Sequence, residues 1–242
     1  MMRKVALVTF LGALVFVFGA AFGFDPARDL KAAGLLSRAG DLDQAMRLAR
    51  RALFFGNATE QIQALGLLAG AAEKSGRLDR AESYARRLLT LDAGNPRGHL
   101  LMGEFRMRSG DPAGALAFLD LGLELAGGES RNRPKSMAPH LARRGLALFE
   151  LGRVEEAGRD ADMAMALDPR DPAPHFLVGR LFEAEGLYLE ALEEWELGVA
   201  LLKDRDRYFF LNSEGEGVIE QLILLRMKAK VDKNRPLYPG MG

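Results

Sequence analysis

The chain has 242 residues, enough for one large domain or two small ones, and 48% of them are hydrophobic. Its 33 basic side chains equal its 33 acidic ones, so no net field draws it to nucleic acid. It has no cysteine, which excludes disulfides, thiolate metal sites and cysteine nucleophiles.

Residues 1–24 read as a targeting segment, a signal peptide or signal anchor, rather than as part of a fold. Arg3 and Lys4 precede an apolar run from Val5 to Phe24 that holds no charge. The small residues Gly19-Ala20-Ala21 and Gly23 offer cleavage after Ala21 or Gly23. Left uncleaved, the run is long enough to span a bilayer. With no cysteine to lipidate, a lipoprotein is excluded. Either way the basic head stays inside and the rest is exported. Export suits a chain with no thiol to oxidise. Loss of residues 1–23 leaves 31 basic against 33 acidic side chains, still without a strong field. The expected location is the bacterial periplasm, free or tethered to the inner membrane through residues 5–24, with secretion as a further route.

Asp25-Pro26 then opens a helix, with Asp as N-cap and Pro at the first helical position. Asn95-Pro96 and Asp171-Pro172 have the same form. Between and beyond them one stretch recurs: a Gly with an Ala five residues later. It stands at Gly40 and Ala45, Gly76 and Ala81, Gly110 and Ala115, Gly152 and Ala157, and Gly186 and Ala191. The Gly-to-Gly spacings are 36, 34, 42 and 34 residues. A period near 34 is the mark of stacked helix pairs. In the fourth unit Leu141, Gly145 and Leu148 precede the turn, and Ala157, Ala161 and Ala164 follow it. Apolar or small residues three and four apart make one helix face. Gly152 suits the left-handed residue that ends a helix, and Pro169 stops the next one.

The longer 42-residue spacing holds a stretch from Gly127 to Met137, rich in Gly, Ser, Asn and Pro, which reads as a loop. Its charges, Glu129, Arg131, Arg133 and Lys135, are mostly positive. It serves as a solvated insertion or as a binding loop. After the fifth unit, Ser213 and Glu216 form a capping-box pattern for a helix from about Gly215 to Val231. Repeat arrays need a cap over the last apolar face, and residues 206–233 are assigned that role. Residues 234–242, with Pro236 and Pro239, read as a tail.

No residue set points to chemistry, and the chain is read as no enzyme, with no catalytic, cofactor or metal site. His99 and His175 occupy one repeat position and His140 lies one residue earlier in its own. Positions two repeats apart are on the order of 20 Å apart, too far to share one metal ion. They read as packing at helix starts. Asp160, Asp162, Glu193, Glu194 and Glu196 read as solvated faces of second helices. Phe182 and Trp195 read as core, and Tyr188 as part-exposed in the turn.

The pattern resembles the tetratricopeptide repeat family. Leu68-Ala69, Met102-Gly103, Gly145 with Leu148, and Val178-Gly179 match its first helix. Ala45-Ala49-Ala52, Ala81-Ala85-Leu88, Ala115-Leu119-Gly122, Ala157-Ala161-Ala164 and Ala191-Trp195-Gly198 match its second. The family's first-helix Trp is absent throughout. The resemblance covers roughly residues 26–205. It implies an all-α helix-turn-helix solenoid wound as a right-handed superhelix, with repeats at 26–59, 62–95, 96–129, 138–171 and 172–205 and a C-terminal capping helix. It also implies a concave groove lined by first helices that holds a protein segment. Carried over position by position, the groove comprises Arg97, Leu100, Glu104, Arg108, Leu146, Phe149, Phe176, Arg180 and Glu183, with Arg38, Gln63 and Glu73 toward the first repeats. The clamp of the family's chaperone-tail readers is missing, since Leu30 and Gly34 stand in its place. The implied function is a scaffold or adaptor that binds a protein partner of envelope assembly machinery. A structural self-assembler that stacks end to end is the alternative, and an enzyme or ligand-binding protein ranks below both.

Overall fold

The computed structural model describes residues 24–127, 135–202 and 224–228. The expected targeting segment lies outside the described residues, as do loop positions 128–134 and the stretches 203–223 and 229–242. Among the described residues there is no strand, and the regular elements are helices. In chain order these are α1 (Pro26–Ala39), α2 (Leu42–Phe55), α3 (Ala58–Lys74), α4 (Leu78–Leu91), α5 (Pro96–Arg108), α6 (Pro112–Leu125), α7 (Ala138–Glu150), α8 (Val154–Leu167), α9 (Pro172–Ala184) and α10 (Tyr188–Leu201). A 3-10 turn, Lys135–Met137, leads into α7, and residues 224–228 are helical.

One device builds every pair. Gly40, Gly76, Gly110, Gly152 and Gly186 all hold a positive φ, between 72° and 91°. An L side chain is strained there, and Gly is not. The residue after each Gly donates its N–H to the carbonyl five residues back, as Asp41 does to Leu36 and Arg153 to Leu148, both at 2.9 Å. That bond satisfies a helix-end carbonyl and turns the chain back on itself. The Ala five residues after each Gly is at most 2% exposed, which seats the second helix against the first.

Helix starts follow the caps read from sequence. Asp25 accepts from the Arg28 amide at 3.0 Å, and Asp171 accepts from Ala173 at 2.9 Å. Asn95 accepts from the Gly98 amide at 3.2 Å. One boundary differs from expectation. α3 begins at Ala58, ahead of residue 62, because Asn57 and Glu60 form a reciprocal capping box that starts it there.

The chain divides into two compact units, residues 1–102 and 103–242, and the division falls inside α5. In the first unit α1 packs on α2 and α3, α2 on α3, and α3 on α4. Its core is made of small residues and a few leucines: Ala33, Ala52, Ala64, Ala69 and Ala72 are fully buried with Leu65, Leu68 and Leu88. Each buried Leu contributes roughly 1.5–3 kcal/mol. Arg51 on α2 donates two hydrogen bonds to Asp29 on α1, at 2.6 and 2.7 Å. Phe24 stacks on Phe55 with centroids 4.6 Å apart, and Arg51 lies over the Phe24 ring.

In the second unit α6 packs on α7, α7 on α8 and α9, and α9 on α8 and α10. The helices of a pair approach closely through glycines. A Cβ at Gly179 would strike the Trp195 indole and come within 3.3 Å of the Ala191 carbonyl. A Cβ at Gly145 would lie 3.2 Å from the Ala157 carbonyl and 3.1 Å from Asp160 Cβ. At the far end Trp195, Ala191 and Leu225 form a core cluster with Phe176 and Phe182 against it. Leu225 is fully buried. Thus the described part of the expected capping helix, residues 224–228, packs on the fifth pair, while its expected start at Ser213 lies outside the described residues.

Asp160 corrects one expectation. It is 2% exposed, not solvated, and Arg144 on α7 grips it with bonds of 2.6 and 2.7 Å. The side chain sits on the inner flank of α8, where a carboxylate requires a partner. Arg144 also reaches Asp120 at 3.1 Å. The Asp160 contact raises the Arg144 pKa further, despite burial.

Candidate protein-binding face

In the first unit, first helices α1 and α3 and the start of α5 enclose an open concavity of about 630 Å³. Its floor is apolar, with Leu30, Ile62, Leu67 and Leu88, and its rim carries Lys31, Gln63 and Arg97. α3 presents glycines beside it, and Arg97 occupies the room they leave. Gly66 and Gly70 stand one turn apart, and the Arg97 side chain lies across them. A Cβ at Gly66 would only touch the Arg97 stem at 3.6 Å, whereas one at Gly70 would clash with its guanidinium.

The corresponding helices of the second unit present a different surface. Arg180 on α9 donates to Glu150 on α7 at 3.0 Å and lies over the Phe149 ring at 5.5 Å. Lys228 donates to Glu183 at 3.0 Å and lies over the Tyr188 ring at 5.0 Å. Long side chains here engage one another across neighbouring helices.

The nine groove positions carried over from sequence therefore separate. Arg97 lines the concavity of the first unit. Leu100 is only 3% exposed and belongs to the interior. Each step along a helix rotates by about 100°, so a one-residue offset moves a side chain from the groove into the packing. Phe176 is likewise corrected: it does not face away from the pair but packs on Trp195, 5.2 Å between ring centroids, and fills the space over Gly198. Glu104 is 7% exposed, and His140 Nδ1 lies 3.0 Å from its carboxylate. Arg108 and Leu146 are half-buried. Phe149, Arg180 and Glu183 join the bridged surface just described. Of the residues placed toward the first repeats, Gln63 lines the concavity and Arg38 is exposed. Ile62 and Leu67 were missed, although their positions beside Gln63 and Gly66 on an Ala- and Gly-rich helix were visible in the sequence.

The histidines act in packing. His99 contacts the Ala93 carbonyl at 2.8 Å, and His175 contacts the Pro169 carbonyl at 3.0 Å, the same arrangement two repeats on. The other His175 nitrogen meets Glu194 at 2.7 Å. Each ring ties a helix start to the turn before it. Among the described residues no cluster of His and acidic side chains has the form of a metal site.

The family model described as tetratricopeptide repeat matches residues 72–131. No curated protein matches the chain. Among solved structures, the chain is similar to TTC0263, a thermophilic TPR protein of Thermus thermophilus. The two share 22% identity at a TM-score of 0.56, over 81% of this chain and 99% of that one. It is also similar to a chain of the APC/C hetero-tetramer Cut9-Hcn1, with 14% identity and a TM-score of 0.66, over 90% of this chain and 40% of that one. A MamA protein has 16% identity and a TM-score of 0.50, over 77% and 96% of the two chains. At these identities the likeness concerns the fold. That fold generally mediates protein–protein interaction and is typically a non-enzymatic scaffold. Five glycine turns in one register, a matched family model over residues 72–131 and these shared folds together give the chain the tetratricopeptide-repeat fold.

Proposed function

We propose that this chain is a scaffold of the bacterial cell envelope that holds a segment of a protein partner in the concavity of its first unit. The observation that carries the reading is the apolar floor of Leu30, Ile62 and Leu67 beneath a polar rim. Apolar burial supplies affinity, and rim charges fix register. The envelope location rests on the apolar run behind Arg3 and Lys4 and on the absence of cysteine. A component of envelope assembly machinery is the class of partner in view.

Two measurements test this. A photo-crosslinking residue placed at Gln63, which is exposed on the rim, should capture one discrete partner in the envelope, while the same residue at exposed Thr90 on α4 should not. Ile62→Glu should weaken capture by at least about tenfold, or roughly 1.4 kcal/mol, with the helical spectrum intact. Equal capture at both positions would end the assignment of the face. For location, an alkaline phosphatase fusion after Glu60 should be active, and an inactive fusion would contradict export.

A further inference from the structure

We propose that this chain associates with a second copy of itself through the outer sides of its second helices, the basic face of α2 and α4 receiving the acidic face of α8 and α10. The surfaces concerned are separate from the concavity above, so this inference does not rest on the proposed function.

Neutrality of the whole chain hides a division of charge. Helices α2 and α4 hold six basic residues against three acidic ones, whereas α8 and α10 hold eight acidic against one basic. Internal pairs account for part of each set. Arg51 binds Asp29, and Arg86 binds Glu82. Asp160 binds Arg144, Glu156 binds Arg153, Glu194 meets His175, and Glu196 binds Arg226. What remains is four arginines with Asp79 on one side and four acids on the other. Arg47, Arg50, Arg80 and Arg87 are exposed with no ion-pair partner among the described residues, and so are Glu155, Asp162, Glu190 and Glu193.

The two sets also share a pattern. Arg47 and Arg50 are three residues apart on α2, as are Glu190 and Glu193 on α10. Arg80 and Arg87 are seven apart on α4, as are Glu155 and Asp162 on α8. Separations of three and seven each keep both residues of a pair on one side of a helix. In each unit the two helices flank a shared first helix, α3 or α9. So α2 is matched to α10, and α4 to α8. Arg50 and Arg80, with the hydroxyls of Ser83 and Tyr84, line a shallow cleft of about 370 Å³, which fits a carboxylate side chain.

Exposed ion pairs contribute little each, so they set partner and register rather than supply most of the affinity. Apolar neighbours supply contact area: Phe54 is 67% exposed and Leu91 52% on the basic side, and Leu189 is 44% and Leu197 45% on the acidic side. End-to-end stacking does not account for the same residues, because Leu225 already covers the apolar end of the fifth pair.

The test uses the full chain in a non-ionic detergent, with mass measured by light scattering after gel filtration in low salt. Wild type should run as an oligomer. Arg47→Glu with Arg50→Glu should run as a monomer, and so should Glu190→Arg with Glu193→Arg, each with an unchanged helical spectrum. Mixing the two variants in equal amounts should restore the oligomer, because each then meets the opposite charge. Raising salt from about 50 mM to about 500 mM should weaken wild-type association by roughly tenfold, as the Debye length shrinks. A monomeric wild type, an oligomer that survives both reversals, or a mixture that stays monomeric would overturn the proposal.

Discussion

The two units use the same repeat and treat their first-helix faces in opposite ways. In the first, α3 is built from Ala and Gly, and the face stays open as a concavity with Arg97 laid across Gly66 and Gly70. In the second, long side chains fill the equivalent face and pair off, Arg180 with Glu150 and Lys228 with Glu183. The buried ion pairs invert as well. The first unit places its acid on the first helix, Asp29, and its Arg on the second; the second unit places Arg144 on the first helix and Asp160 on the second. A repeat fixes where helices go. The identity of side chains at non-repeat positions decides whether a face binds a guest or binds itself.

The largest expected effect comes from the buried pairs. Asp160→Ala leaves Arg144, whose side chain is only 21% exposed, without its main partner and should cost about 3 kcal/mol, the low end of the cost of breaking a buried ion pair. Asp29→Ala should cost less, about 1.5 kcal/mol, because Arg51 is 42% exposed and water replaces the carboxylate. Urea denaturation of both variants measures the contrast, and equal losses would break it.

A smaller effect is expected from Arg180→Ala. The Glu150 pair is solvated, and its loss should cost about 0.5 kcal/mol or less. The variant sharpens the comparison of faces, since it bares Phe149 and Glu150 without disturbing the core. A loss above about 1.5 kcal/mol would mean that the bridge is part of the packing rather than a surface tie.

The smallest effect concerns caps. In the first unit the Asp25 cap is exposed, while in the second burial pushes the Asp171 carboxyl above its usual value, opposed by the Ala173 amide. A native state with a raised carboxyl pKa binds the proton more tightly than the unfolded chain. Its contribution to stability is therefore full below the ordinary aspartate value and is lost as pH rises through the raised one. Asp171→Asn keeps the cap and removes the titration. The variant should melt at or slightly above wild type at neutral pH, with that advantage fading under acid. A variant that melts lower at neutral pH would show that the charge itself supports the helix start.

Much of this architecture was legible in the sequence. The glycines expected to end first helices hold positive φ, and the alanines five residues later are buried. Those features are local: a left-handed residue and a cap each depend on a few neighbours in the chain. The faces were not legible to the same degree. Asp160 looked like one of several acids on a solvated helix, and its partner sits 16 residues away on another helix. Leu100 and Phe176 were placed in the groove by pattern, and a rotation of one residue sends each inward. The course of Arg97 along the rim depends on what is missing, the Cβ atoms of Gly66 and Gly70, which a search for large binding residues passes over.

Leu225 carries a consequence for synthesis. The side chain that completes the Trp195 cluster leaves the ribosome after every helix it covers, and crosses a membrane after them if the chain is exported. Domains of growing chains assemble from the N-terminus onward, so the first unit has its core in hand while the fifth pair still awaits its cover. A product that ends at residue 202 leaves the Trp195 cluster without Leu225. Such a fragment lacks the side chain that completes the cluster, whereas a chain that extends past residue 225 has it. The burial of one leucine thus records that translation has passed the fifth pair.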